Sequence, residues 1–430
     1  MIDGKTANEI FDSIRQHVTT GTLAAGETLP PVRELATELN VNRNTVAAAY
    51  KRLVTSGLAQ SLGRNGTVIK GIAAPAALEG GNPNTPLIDL SGGNPTPSRL
   101  PDLSSYFAKI NKNPRLYGDA AVSPGLKVWA SQWMQDAMPG KGEIDITSGA
   151  IDAIERLLCA HLLPGDSVVV EDPCFLSSIN MLRYTGFSAS PANVDHEGML
   201  PDQLELALQK GARAVILTPR AHNPTGCSLS ASRAAQLQEI LARYPQTLVI
   251  VDDHFALLSA CHWYPLIAKE TTHWAIVRSM SKTLGPDLRL AIVASDPLTS
   301  GKLRLRLNSG SQWVSHLLQD LAYACLSDET YQHTLAQTQQ FYAAQQHKLT
   351  AALRRHGIEL PVGDGLNMWL PLEDNSQAIA FALAKSGWLV REGEVFGVNT
   401  PAHGLRITLS TLTDSDIDKL AADIHQALKR

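Results

Sequence analysis

Five short runs, EIDITS (143–148), DSVVVED (166–172), AVILTPR (214–220), TLVIVDD (247–253) and HWAIVRS (273–279), are apolar through their middles and spaced by helical patterns such as GAIDAIERLL. Strands this uniformly apolar are buried on both faces, which requires a parallel sheet with helices on either side. The spacing therefore predicts an α/β body from about residue 87 to 330. Beyond it the pattern changes to helices with two or three strands, a smaller C-terminal α+β lobe over 331–430. A chain of 430 residues divides into two or three such domains.

The N-terminal seventy residues have a different plan. Thr6-Ala7-Asn8-Glu9 has the form of a capping box, and Phe11, Ile14 and Val18 come after it at helical spacing. Pro31 opens a second helix with Val32, Leu35, Ala36 and Leu39 inward. Asn42 is placed to cap a third, whose inner face is Val46, Ala49, Tyr50, Leu53 and Val54, with Gly57 as its stop. Residues 58–69 alternate around Gly63-Arg64-Asn65-Gly66, a hairpin signal. This order predicts a mainly α winged helix-turn-helix over 1–70.

Charge supports a nucleic-acid role for that head alone. Residues 1–70 hold eight Lys/Arg against six Asp/Glu, a net +2, so the rest of the chain carries −6 of the overall −4. Residues 41–70 hold five basic side chains and no acidic one. The start of a recognition helix enters the major groove. Asn42, Arg43, Asn44 and Thr45 are expected there, with Arg33, Arg52 and the wing's Arg64 on the duplex and Gly66 allowing close backbone approach. Between head and body lies GIAAPAALEGGNPNTP (71–86), small and almost chargeless, which predicts a flexible linker spanning roughly 20–24 Å.

No apolar run is long enough for a membrane span. The five cysteines are scattered without CxxC spacing, which fits a reducing cytoplasm and gives no metal site.

In an open parallel sheet, ligands gather beyond the carboxyl ends of the strands. Ser148-Gly149-Ala150 ends one strand and opens a helix, a place for a phosphate. Phe175 comes after the next strand and offers an aromatic face. Asn223, Asp252 and Lys282 lie at the ends of others, with His254 two residues beyond the Asp. A lysine amine, a carboxylate, an amide, a ring and a phosphate cradle completed by Ser279, Ser281 and Arg289 are the groups pyridoxal phosphate requires.

The body resembles a fold-type I pyridoxal-phosphate aminotransferase in TSGAIDAI, HNPTG and SMSKTLGPDLRLA. The resemblance implies Lys282 as the Schiff-base lysine, Asp252 as the pyridine partner and Asn223 as the ring-oxygen donor. It implies Arg406, in GLRITLS, as the arginine for an effector's carboxylate, and Tyr117, in YGD, as a group reaching the phosphate of a neighbouring subunit. Two departures stand out. No tyrosine comes after Asp252 in Asp252-Asp253-His254-Phe255, so His254 stands near that role, and Phe175 takes a place where tyrosine is common.

The stretch GTLAAGETLPPVRELATELNVNRNTVAAAYKRLVTSGL, with GRNGTVI after it, resembles the GntR-type head, which carries over Arg33, Arg43, Thr45 and Gly66 as DNA contacts. Head and body together resemble the MocR subfamily of bacterial regulators. That implies a cytoplasmic, domain-swapped homodimer binding double-stranded promoter DNA and responding to pyridoxal phosphate or an amine that condenses with it. The expected output is repression, of vitamin B6 or amino-acid genes. A catalytically active aminotransferase with an appended head is the alternative, and the missing tyrosine favours a sensor.

Overall fold

The computed structural model describes residues 2–429 except 62, 64, 65, 70–77, 83, 112 and 375. The expected wing contact Arg64 and the first half of the expected linker lie outside the described residues. The chain divides into two units, one holding Met1–Ala77 and the other most of the chain from Leu78 onward.

The head forms the expected helices α1 (Ala7–Thr19), α2 (Val32–Glu38) and α3 (Arg43–Thr55), then strands β1 (Ala59–Ser61) and β2 (Thr67–Ile69). Thr6 and Glu9 close the capping box on α1. Asn42 caps α3 by accepting the Asn44 N–H at 2.8 Å. Ile10, Ile14, Leu35, Val46, Ala49 and Leu53 form a shared core, and the Tyr50 hydroxyl crosses to the Pro30 carbonyl at 2.7 Å. The wing pairs antiparallel with Ala59 opposite Ile69, and Thr28 bridges to Val68. Val54, expected inside, is 37% exposed.

The body begins with β3 (Ile88–Asp89), α4 (Pro124–Met134), β4 (Glu143–Thr147), α5 (Ala150–His161), β5 (Ser167–Asp172) and α6 (Leu176–Thr185). It continues through β6 (Ser188–Asp195), β7 (Gly198–Met199), α7 (Pro201–Gln209), β8 (Ala214–Leu217), α8 (Ala231–Ala242) and β9 (Leu248–Asp252). Then come β10 (His273–Ser279), β11 (Ala291–Ser295), α9 (Pro297–Asn308), α10 (His316–Leu326) and the long α11 (Glu329–Arg355). The C-terminal elements are β12 (Asn367–Pro371), α12 (Ser376–Lys385), β13 (Trp388–Leu389), β14 (Arg391–Glu392), β15 (Gly404–Thr408) and α13 (Asp414–Leu428).

The main sheet runs β4-β11-β10-β9-β8-β5-β6-β7. Strands β5, β8, β9 and β10 are parallel neighbours in that order, and β11 lies antiparallel between β10 and β4. Two reversals restore direction, so β4 points the same way as β10. The carboxyl ends of β4, β5, β8, β9 and β10 therefore share one edge. Strand β11 also brings the chain back: it starts at that edge, and the Met280 N–H donates to the Leu290 carbonyl at 2.9 Å across the returning loop. This places Lys282 and Arg289, seven residues apart, beside the same strand ends.

The C-terminal lobe is not made from 331–430 alone. Its three-stranded sheet β12-β15-β14 is joined by a separate pair in which β3 lies parallel to β13, with Ile88 opposite Trp388. Leu90 belongs to the lobe's core with Leu349, Met368, Trp388, Leu405, Ile407 and Leu420. The described part of the expected linker, from Leu78 on, also belongs to the body unit. The Asn82 N–H donates to Asp89 at 2.6 Å, and Arg391 donates to the Gly80 carbonyl at 2.8 Å. Residues this firmly tied are a strap, which corrects the expectation of a flexible linker reaching to 86.

Candidate functional site

A cavity of about 340 Å³ opens at the shared strand edge. Its lining includes Ala150, Phe175, Asn223, Asp252, His254, Ser279, Ser281, Lys282 and Arg289 from the sequence-based set, with Glu79, Gly92 and Gly93 in addition. Nine expected residues from five separate stretches thus meet around one space, because each lies just after or just before a strand at that edge.

Asp252 closes β9 and is 7% exposed. Its Oδ1 has no hydrogen-bond partner among the described residues. Burial raises its pKa to about 7, aided by the neighbouring Asp253 and Glu171 carboxylates and opposed by His222. A buried oxygen left without a donor is costly, and a protonated ring nitrogen in the cavity would satisfy it. The next residue, Asp253, faces away, where both Arg220 and Arg278 meet its carboxylate at 2.7 and 2.9 Å.

Lys282 is half-buried, and its Nζ donates to the Gly93 carbonyl at 2.5 Å. Burial pulls its pKa down to about 8; Glu79 pushes it up and Arg406 pushes it down. A neutral amine, the nucleophilic form, is thereby accessible near neutrality. His254 stands in the same space with a pKa lowered to about 4 by burial and by the Lys282 cation, so it is a neutral imidazole at pH 7.

The residues expected around a phosphate also come together. Gly149 has φ +105° and precedes α5, and a Cβ there would lie 2.7 Å from an Arg289 guanidinium nitrogen. Only glycine admits both the backbone turn and that approach. Arg289 itself is in the left-handed region at φ 48°, a conformation unusual for arginine, and donates to the Ser148 carbonyl at 3.5 Å. The Ser148 N–H is taken by Asp152 at 3.1 Å, so the start of α5 is partly satisfied from within. The Ser279 and Ser281 hydroxyls lie 3.1 Å apart beside it.

HNPTG forms a tight turn: the His222 ring bonds Thr225 at 2.7 Å and lies 3.4 Å from the Glu171 carboxylate. Burial draws the His222 pKa down, yet Glu171 and Cys227 together outweigh it and hold the value up at about 10. Asn223 presents its side-chain oxygen to Arg406 at 2.9 Å.

Arg406 is fully buried. The strap's Glu79 meets it in a two-toothed pair, both contacts at 2.8 Å. The Ser91 carbonyl takes a further bond at 2.7 Å, and the Phe396 ring lies 4.9 Å from the guanidinium carbon. Sequence reading missed Glu79. Its signal was that it is the sole charged residue in the sixteen of GIAAPAALEGGNPNTP. Tyr117 does not line this cavity. It is 85% exposed and packs edge-on against Trp313 at 5.6 Å, in a separate depression with Arg115 and Asp320.

In the head, Asn42, Arg43 and Asn44 are exposed at the start of α3, with Thr45 half-buried behind them. Arg33 is exposed early in α2, and Gly66 takes φ +88° in the wing. Among the described residues, neither Arg33 nor Arg43 has an ion pair. Arg52 differs from expectation. It bonds to Asn8 and sits 4.7 Å over the Phe11 ring, so its guanidinium ties α3 to α1.

Comparison with known proteins agrees with both halves. The model for aminotransferase class I and II matches residues 85–424, and that for bacterial regulatory proteins of the gntR family matches 6–69. Over 430 residues, all of both chains, the sequence is 75% identical to the vitamin B6 salvage pathway transcriptional repressor PtsJ of Salmonella typhimurium. It is 24% identical over 409 residues to the probable rhizopine catabolism regulatory protein MocR of Rhizobium meliloti, covering 85% of this chain and 79% of that one. The multiple substrate aminotransferase of Thermococcus profundus shares the body's fold, with TM-score 0.69 and 22% identity over 81% of this chain and 93% of that one. No described helix is long and apolar enough to cross a membrane.

Proposed function

The chain belongs to the MocR subfamily of GntR-type regulators, an aminotransferase class I and II body behind a helix-turn-helix head, and on that premise we propose that it is a transcriptional repressor of vitamin B6 salvage that binds promoter DNA and reads pyridoxal phosphate. The observation that carries the cofactor reading is Asp252, a buried carboxylate with an unmatched oxygen in the same cavity as Lys282. Bound there, pyridoxal phosphate supplies an aldehyde for a lysine amine and a ring that draws electrons when its nitrogen is protonated.

The chain's own groups have separable tasks. Asp252 holds the ring-nitrogen proton. Lys282 offers its amine from the Gly93 carbonyl. Asn223 would donate its side-chain amide to the ring oxygen, Phe175 would flank the ring, and Arg289 with Ser279, Ser281 and the Ser148-Gly149-Ala150 turn would receive the phosphate. Tyr117, exposed on this chain, suits contact with a second copy, in keeping with a domain-swapped homodimer. Ligand shifts DNA affinity only through its differential affinity for two states of the protein.

The test joins a spectrum to a mobility shift. Wild type incubated with pyridoxal phosphate is expected to develop the visible absorbance of a lysine-bound cofactor, absent in Lys282→Ala. Its shift of the vitamin B6 salvage promoter is expected to change with cofactor and to be lost in Arg43→Ala. Identical DNA binding with and without cofactor would sink the sensor reading. Multiple-turnover transamination would favour the enzyme instead.

A further inference from the structure

The fully buried Arg406 already has a carboxylate partner, and that partner comes from the chain itself. Glu79 grips it with two oxygens at 2.8 Å each, the fork-to-fork geometry by which arginine recognises a free carboxylate. We infer that Glu79 is a built-in occupant of the carboxylate seat, so that the cavity admits pyridoxal phosphate and turns away α-amino acids. The inference rests on the cofactor reading above and sets which ligand class the site accepts.

Three observations carry it. First, both terminal nitrogens of Arg406 are occupied: besides Glu79 they hold the Asn223 side chain and the Ser91 carbonyl, at 2.9 and 2.7 Å, and only its Nε lacks a partner among the described residues. An incoming carboxylate must displace Glu79 rather than add to it. Second, glycines let the strap carrying Glu79 sit close to the neighbouring loop. A Cβ on Gly92 would lie 2.9 Å from the Gly81 backbone nitrogen, and one on Gly81 would lie 2.5 Å from Asp89. Only the paired glycines let strap and loop approach so closely. Third, the strap is held just beyond that contact, by Arg391 at the Gly80 carbonyl and by Asp89 at the Asn82 N–H. Glu79 is thus held in place, not merely near Arg406.

A competing amino acid must match a partner tethered to the same chain, which acts at high effective concentration. Pyridoxal phosphate itself would make no demand on Arg406, because Arg289, which lines the cavity, would receive its phosphate.

The test uses full-length protein with two probes. Holoprotein is titrated with L-alanine and L-glutamate, reading cofactor absorbance and promoter binding. Wild type is expected to change in neither. Glu79→Gln, which keeps the side chain's size, is expected to respond at concentrations lower by about tenfold or more. In the second arm, Glu79→Ala without cofactor is melted with and without sodium acetate. Acetate is expected to raise its Tm and to leave wild type unchanged. Equal response of wild type and Glu79→Gln to the amino acids, or failure of acetate to rescue Glu79→Ala, would overturn the inference. Absence of any cofactor absorbance in wild type would instead sink the cofactor reading, and the acetate arm would still decide the role of Glu79.

Discussion

Asp252 and Asp253 are consecutive in sequence and opposite in function: one faces the cavity with an unmatched oxygen, the other is clasped by two buried arginines on the far side. Alternation at a strand end sends neighbouring side chains to opposite faces. The consequence is that two like substitutions have unlike effects.

Asp253→Ala leaves the Arg220 and Arg278 guanidinium groups buried without their anion, which costs about 3–5 kcal/mol. The measurement is denaturant unfolding, where a clear fall in midpoint is expected. Asp252→Asn removes no ion pair. It is expected to leave the midpoint of apoprotein unchanged at low pH and to raise it toward neutral pH, while weakening pyridoxal phosphate by about 10–100-fold, read from cofactor titration.

The stability of apoprotein should carry the mark of Asp252 in its pH dependence. The folded pKa of about 7 lies above the ordinary value of 3.8, so the native state binds a proton more tightly than the unfolded chain. That contribution favours the fold at low pH and is lost as pH rises from about 3.8 through 7. Denaturant midpoints across this window are expected to show a falling component in wild type that is missing from Asp252→Asn.

Capture of pyridoxal phosphate by Lys282 requires the neutral amine. Its rate is expected to rise with pH and to level off above about 8, well below the range of a free lysine. Glu79 pushes that pKa up, so Glu79→Gln should move the midpoint lower. Stopped-flow absorbance against pH gives both values, and an unchanged midpoint would count against the electrostatic coupling of the two residues.

The head yields a contrast between two arginines. Arg43→Ala is expected to weaken promoter binding by about 1–3 kcal/mol with unchanged head stability, since its side chain is exposed and free of ion pairs among the described residues. Arg52→Ala removes the tie to Asn8 and Phe11, so its first effect should be a lower unfolding midpoint. Salt titrations of DNA binding and thermal melts of each variant separate the two.

Sequence alone determined the elements with strong local signals. The helices of the head come from a capping box, an Asn cap and apolar spacing, all set within a few residues. The strands ending at Thr147, Asp172, Leu217, Asp252 and Ser279 come from apolar runs that suit only a sheet covered on both faces. The cavity residues after them were legible because strand ends are where such a sheet holds ligands. What the tertiary structure decided is non-local. The antiparallel return of β11, which carries Arg289 back beside Lys282, rests on pairing with β4 more than a hundred residues away. Strand β3 joins the C-terminal lobe by pairing with β13, three hundred residues later. Arg52 turns to α1 because a ring and an amide happen to lie there. Glu79 looked like a lone charge in a linker, and only its meeting with Arg406, 327 residues on, gives it a role. A bond across that distance leaves no periodicity in either segment, because neither element's local preference depends on the other.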